Sequence, residues 1–181
     1  MSETLSKVFA LIITVLLLYI FPVENMLTRQ DDITKVYVLN ETAEFVDSVR
    51  NLGYITPVMY RQFSQVLSAT GNRYVIMMEH RHINIQPIYT DPDDITSFQH
   101  DYSTHYQTFY NDDILKTLFP ELNPPPADTN YYLSKGDLFS VQVVNDNKTI
   151  ATRVQEMLLM TDLPVRKIIV NYGGMVRDEN H

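Results

Sequence analysis

VFALIITVLLLYIFPVENMLTRQDDITKVYVLNETAEFVDSVRNLG, from Val8 to Gly53, carries two different apolar patterns end to end, and the NMLTRQDD that joins them contains neither Gly nor Pro. The first pattern, Val8 to Val23, has no charged residue. As a helix at about 1.5 Å per residue it covers roughly 24 Å, a little less than the roughly 30 Å of a bilayer's hydrocarbon core. Met26 and Leu27 extend it, Tyr19 and Phe21 suit one headgroup boundary, and Lys7 suits the other. Residues 1–27 are therefore expected to form a transmembrane anchor.

The second pattern is periodic. Ile33, Val36, Leu39, Ala43, Val46 and Val49 recur at steps of three or four, which predicts an amphipathic helical stem over residues 31–52 that stops at Gly53. Nothing between the two patterns forbids one rod from Leu5 to Leu52, about 70 Å long, in which Pro22 kinks the helix without ending it. A cleaved signal peptide would need a basic start and small residues at the cut site. Glu3 and a lone Lys7 precede the run, and Pro22-Val23-Glu24-Asn25-Met26 follows Phe21, so an uncleaved anchor is expected. Lys7 and the terminal amine on the short side, against Glu24, Asp31 and Asp32 on the other, predict a single-pass protein of the cell membrane with a cytoplasmic N-terminus and an extracellular C-terminal domain.

Residues 28–181 read as one extracytoplasmic α+β domain. Thr56-Pro57 is an N-cap and first-turn pair for a second helix, with Val58, Met59, Phe63, Val66 and Leu67 on its apolar face, ending near Ala69. YVIMMEHRHINIQPIY, Tyr74 to Tyr89, is rich in β-branched and aromatic residues and predicts a long or bent strand or a hairpin. Asp91-Pro92-Asp93-Asp94 predicts a turn, His105 to Phe109 a strand, Asp113 to Leu118 a short helix, and Asn123-Pro124-Pro125-Pro126 a loop. Strands at Leu138–Val144 and Lys167–Tyr172, the latter closed by Gly173-Gly174, flank a late helix at Ile150–Met160. The order predicts α+β architecture: a long N-terminal helix, a second helix, then a mostly antiparallel sheet with a late helix.

Twelve Tyr and eight Phe in 181 residues argue for a folded body. A net charge of −8, with no basic cluster longer than Arg166-Lys167, argues against a nucleic-acid partner. The absence of cysteine excludes disulfides, thiolate metal sites and thiol catalysis.

The chemistry-bearing residues are sparse. His80 and His82 flank Arg81 on a predicted strand, so alternation puts both imidazoles on one face, with His100 and His105 near; two histidines at that spacing can share a metal. No second motif with ligand spacing joins them, and an exposed polar sheet face is expected, with no metal and no cofactor. Asp91, Asp93 and Asp94 lack the Gly and terminal Glu of a calcium loop. Asp112-Asp113 reads as a helix cap, and Gly173-Gly174 opens no helix and so is no phosphate loop. Asn40-Glu41-Thr42 and Asn147-Lys148-Thr149 match the glycosylation pattern. The tyrosines from Tyr102 to Tyr132 are expected to pack in the core and on an edge strand. No catalytic constellation emerges, and the chain is not expected to be an enzyme. In the anchor, Ala10 and Thr14, four apart, offer the one small-residue face for close helix approach.

The short anchor, Pro22 and the amphipathic continuation into a small α+β head resemble type IV pilins and pseudopilins. FVDSVRNLGYITPVMYRQFSQVLSATGNRYVIMMEHRH, Phe45 to His82, resembles pilin-like membrane proteins of tight-adherence-type pilus or secretion systems of Gram-positive bacteria. The chain departs from pilins in having no Gly preceded by basic residues before the apolar run and no Glu five residues into it. The resemblance implies a minor subunit or assembly accessory, not a major polymerising one. Its helix would bundle through Ala10, Thr14 and Pro22 with other membrane-anchored pilin-like or secretion-system subunits. The alternative is a membrane-tethered ligand-binding or sensor module, and a metal-dependent surface enzyme using His80 and His82 is a third reading.

Overall fold

A computed structural model describes residues 2–91, 93, 95–121, 128–164 and 167–177. Helix α1 runs without a break from Ser2 to Leu52, through Pro22 and across the expected 27/28 boundary. Pro22 removes one backbone N–H, leaving the Leu18 carbonyl without its usual helical donor. α1 ends at Gly53, whose φ of 74° and N–H bond to the Val49 carbonyl at 2.8 Å make it a left-handed terminator that a residue with a Cβ would adopt at a cost.

The remaining elements follow as β1 (Tyr54–Ile55), α2 (Pro57–Ser68), β2 (Tyr74–Tyr89), β3 (Phe98–Tyr110), α3 (Asn111–Leu118), β4 (Tyr131–Tyr132), β5 (Leu138–Asn145), α4 (Ile150–Leu159) and β6 (Ile169–Met175). The fold is α+β, as expected. Four antiparallel strands form one sheet in the order β3-β2-β5-β6, and β1 pairs with β4 in a two-stranded ribbon. The predicted N-cap of α2 is present, with Thr56 accepting from the Met59 N–H at 3.1 Å.

One face of the sheet is covered and the other is open. Along β5 the residues Phe139, Val141 and Val143 point inward and their neighbours outward, and β2 contributes Ile76 and Met78 to the same face. The C-terminal half of α1 lies over this face with α2. Phe45 of α1 stacks on Phe63 of α2 with ring centroids 4.4 Å apart and meets Phe139 of β5 edge-on at 6.4 Å, so one aromatic cluster ties three elements together.

The buried stripe of α1 coincides with the predicted one at Val46 and Val49 and departs from it toward the N-terminus. Val38, Thr42, Phe45, Val46 and Val49 are buried, whereas Ile33 and Val36 are 70% and 57% exposed and Leu39 is exposed too. Thr42 disguises the stripe. Its hydroxyl donates to the Val38 carbonyl one turn back at 2.6 Å, so a residue that reads as polar packs as an apolar one. Asp31 extends the stripe toward the N-terminus, accepting from the Thr149 hydroxyl at 2.8 Å. Thr149 also caps α4, which sets the Asp31 carboxylate beside that helix's N-terminal end.

Other boundaries moved as well. The strand expected at His105–Phe109 is the 13-residue β3, paired in one hairpin with β2 from Glu79 to Tyr89. The helix predicted from Asp113 begins at Asn111, with Asp112 and Asp113 inside its first turn; Asp113 caps it from the third helical position, its carboxylate accepting from the Tyr110 N–H. The Asn123–Pro126 loop, Pro92 and Asp94 of the predicted turn, and Arg166 lie outside the described residues. The last strand continues through Gly173 and Gly174 to Met175. Both glycines are there for close packing, since a Cβ on Gly173 would stand 2.5 Å from that of Ser140, and one on Gly174 2.6 Å from the Arg50 guanidinium carbon. Arg50 lies flat over Gly174, donates to the Met175 carbonyl at 2.9 Å and pairs with Asp47, fastening β6 to α1.

Gly173→Val would press its Cβ against the Ser140 Cβ at 2.5 Å and the Phe139 carbonyl oxygen at 2.8 Å, which the β5 backbone holds in place, and should lower stability by about 1–3 kcal/mol. The check is the urea midpoint of the full chain in detergent.

Candidate functional site

Two regions hold the residues singled out from sequence. In the first, Ala10, Thr14 and Pro22 all lie on exposed surface of α1. Ala10 and Thr14 share a face, and the Thr14 hydroxyl donates to the Ala10 carbonyl at 2.8 Å, so it is satisfied within its own helix. Pro22 stands about 120° around the axis from Ala10, at about 100° per residue, and belongs to another face. That face continues through Met26, Ile33 and Tyr37, which lie opposite the buried Val38–Thr42–Phe45 side and are exposed. Among the described residues α1 is the one helix long and apolar enough to cross a membrane, and none of its most apolar stretch is packed against the rest of the molecule.

The second region lies where β2 leaves the core. Alternation places His80 and His82 on the same face, as expected. The expected exposure is wrong for His80, which is 4% exposed and sits on the covered face in line with Ile76 and Met78. Its ring stacks on Phe109, the residue opposite it on β3, at 5.5 Å, and meets the Tyr131 ring edge-on at 5.6 Å. Asp137, 1% exposed, supplies a buried carboxylate from the turn that enters β5. That turn is closed by the Asp137 N–H to the Ser134 carbonyl at 3.0 Å, with Gly136 at φ 94°.

Four donors converge on the carboxylate. His80 Nε2 lies 2.8 Å from Oδ2 and His82 Nδ1 2.9 Å from Oδ1; the Ser134 N–H donates to Oδ2 at 2.8 Å and the Ile83 N–H to Oδ1 at 3.3 Å. Burial alone would push the Asp137 carboxyl up. The hydrogen bonds from His80, the Ser134 and Ile83 amides and His82 outweigh it and hold the group below the usual aspartate value. An ionised carboxylate only accepts, so both facing ring nitrogens carry hydrogen. In neutral His80 the other nitrogen, Nδ1, then accepts from the Tyr131 hydroxyl at 2.7 Å. Burial, with Asp113 and Asp137 adding their negative charge, pushes the Tyr131 phenol up to about 12, so it keeps the proton it donates.

His82 is the open side of the cluster, its side chain 37% exposed. His105 follows on the same face, opposite Asn84, but bonds to the Ser103 hydroxyl at 3.0 Å, and His100, at φ 59°, packs against Phe98; neither joins the cluster. Three of the tyrosines lie on an edge strand, as expected, but their rings are not covered. Tyr102, Tyr106, Tyr110 and Tyr132 are exposed, the first three along the uncovered face of β3, and Tyr131 alone of those expected to pack reaches His80. Asp91 accepts from the Asp93 N–H within its own turn. Of the glycosylation triplets, Thr42 is buried in α1, and the Asn147 amide donates to Asn72 and to the Lys148 carbonyl.

Tyr131→Phe removes the donor to a buried imidazole nitrogen and should cost about 1–3 kcal/mol in unfolding free energy. Asp137→Ala, which leaves His80 and two backbone N–H groups unpaired, should cost more, about 3–5 kcal/mol. Chemical denaturation of both variants beside the wild type measures the order. Comparison of the chain with protein-family models, characterised proteins and solved structures finds no match.

Proposed function

We propose that the chain is a non-catalytic, membrane-anchored structural or accessory subunit of a surface assembly, of the minor-pilin or pseudopilin kind. One observation carries the reading: a single uninterrupted helix is apolar and bare over its first half and forms the spine of an antiparallel head over its second. Leu5, Phe9, Leu11, Leu17 and Leu18 each leave 60% or more of their surface bare, which water would not tolerate over so long a run and lipid would. The exposed stripe through Met26, Ile33 and Tyr37 carries this apolar surface beyond the expected membrane boundary, on the side away from the head's core. A neighbouring helix would cover both stretches at once.

In this reading the N-terminus is cytoplasmic and the head extracellular. Ala10 and Thr14 supply the face of closest approach in lipid, where small residues let backbones come together. Pro22 lies on the face that Met26 and Ile33 continue toward the head.

Crosslinking and mass spectrometry of the native membrane protein, with its N-terminus sequenced, tests the assignment. Recovery joined through α1 to other anchored subunits is the expected result; recovery alone would overturn it in favour of a tethered ligand-binding or sensor module. Ala10→Leu should reduce that crosslinked yield severalfold while leaving the circular-dichroism spectrum of the head unchanged.

Orientation has its own test, made simple by the absence of native cysteine. Asp101→Cys should react with a membrane-impermeant maleimide in intact cells, and Glu3→Cys only after permeabilisation. The reverse pattern would place the head in the cytoplasm and exclude the role.

A further inference from the structure

We propose that His80, His82 and Asp137 form a binding site for one divalent transition-metal ion of the zinc class. Three ligand atoms, His80 Nε2, His82 Nδ1 and an Asp137 carboxylate oxygen, lie within 4.8 Å of one another. They come from two elements that the β2–β5 register holds side by side, with His80 opposite Phe139 and Arg81 opposite Leu138, the residue after Asp137. The site is thus held by β2 and by the hydrogen-bonded turn that leads directly into β5.

The donor set selects the ion. Two imidazoles disfavour calcium and magnesium, which take oxygen ligands, and a chain without cysteine offers none of the thiolates that favour copper(I). Two histidines and one carboxylate leave a fourth position of a tetrahedral centre free, and it falls on the His82 side, where solvent reaches the cluster. A water or a group from outside the chain would complete it.

The spacing is close to what the ion requires. Ligands about 2.0–2.1 Å from a tetrahedral zinc are about 3.3 Å apart. His80 Nε2 stands 2.8 Å from Oδ2 and His82 Nδ1 2.9 Å from Oδ1, with all the ligand atoms within 4.8 Å of one another, so each bonded pair must open by about half an ångström and one oxygen must turn toward both rings, with the ion taking the place of the two bridging protons. Both imidazoles can remain neutral. The His82 proton moves to Nε2, toward solvent, and the His80 proton moves to Nδ1, where the Tyr131 oxygen lies at 2.7 Å and accepts it. Tyr131 then orients the buried ligand from behind, while the Ser134 and Ile83 N–H groups continue to hold the carboxylate. The same side chains thus have a proton-bridged and a metal-bridged arrangement.

The test uses the full chain in detergent, purified without a polyhistidine tag, stripped with chelator and titrated with Co2+ as a spectroscopic probe. One equivalent should bind with visible d–d absorption of a four-coordinate centre and be displaced by Zn2+, and Zn2+ should raise the Tm. His82→Ala, at the partly exposed ligand, keeps the buried His80–Asp137–Tyr131 bonds and should weaken binding at least about tenfold. His105→Ala, on the same face but outside the cluster, should bind as the wild type does. Absence of the absorption band, or equal binding by the His82→Ala and His105→Ala variants, would overturn the site and leave the cluster a hydrogen-bonded feature of the core. Loss of binding in both variants would do the same, since it would trace the metal to the exposed histidines.

Discussion

An antiparallel sheet with one open face must bury the other, and the burden of covering it falls here on the second half of α1. Phe45 locks into Phe63 and Phe139, and Arg50 lies across Gly174 to hold the last strand. Without that helical segment the inward residues of β5 would face water, each costing on the order of 2 kcal/mol of apolar burial. The head is therefore not an independent body that happens to carry a tail. Its core contains the continuation of the apolar rod, and the rod's bare half and packed half are one hydrogen-bonded object.

How much of this was legible depends on whether a residue's surroundings are local. The stop of α1 at Gly53 and the Thr56-Pro57 start of α2 rest on neighbours in the chain, and both are found; the continuity of α1 through NMLTRQDD was permitted by the sequence and not required by it. The packed stripe of α1 is legible at Val46 and Val49 but not before them, because Thr42 hides its hydroxyl against Val38, while Ile33, Val36 and Leu39 are apolar without being covered by the head. β3 was seen only in part because FQHDYSTHYQTFY lies on an edge of the sheet, exposed on most of its length, and so carries little apolar alternation.

The histidine cluster divides along the same line. That His80 and His82 share a face follows from strand alternation. That His80 is buried, and against what, depends on a partner 57 residues away, brought in by the β2–β5 register and the turn at Gly136. Nothing near Asp137 in the chain marks it, since an Asp after a Gly reads as an ordinary turn residue. Once placed, it must be ionised and saturated with donors to be tolerated there, and two imidazoles and two backbone amides fill that requirement. A buried carboxylate so completely served holds β2, β4 and the entry to β5 in a single geometry.

The unbroken passage of α1 from its bare half into the head also has a rotational meaning. Height and azimuth along a helix are not independent: one residue added between Leu27 and Asp31 would lift the head by about 1.5 Å and swing it by about 100°. About 3.6 residues restore its facing, so an insertion of four nearly does and an insertion of two turns the head almost backward. The segment joining the two halves works as a screw thread, with a length that sets which side of the head meets a neighbour as well as how far it stands from the rod's other end.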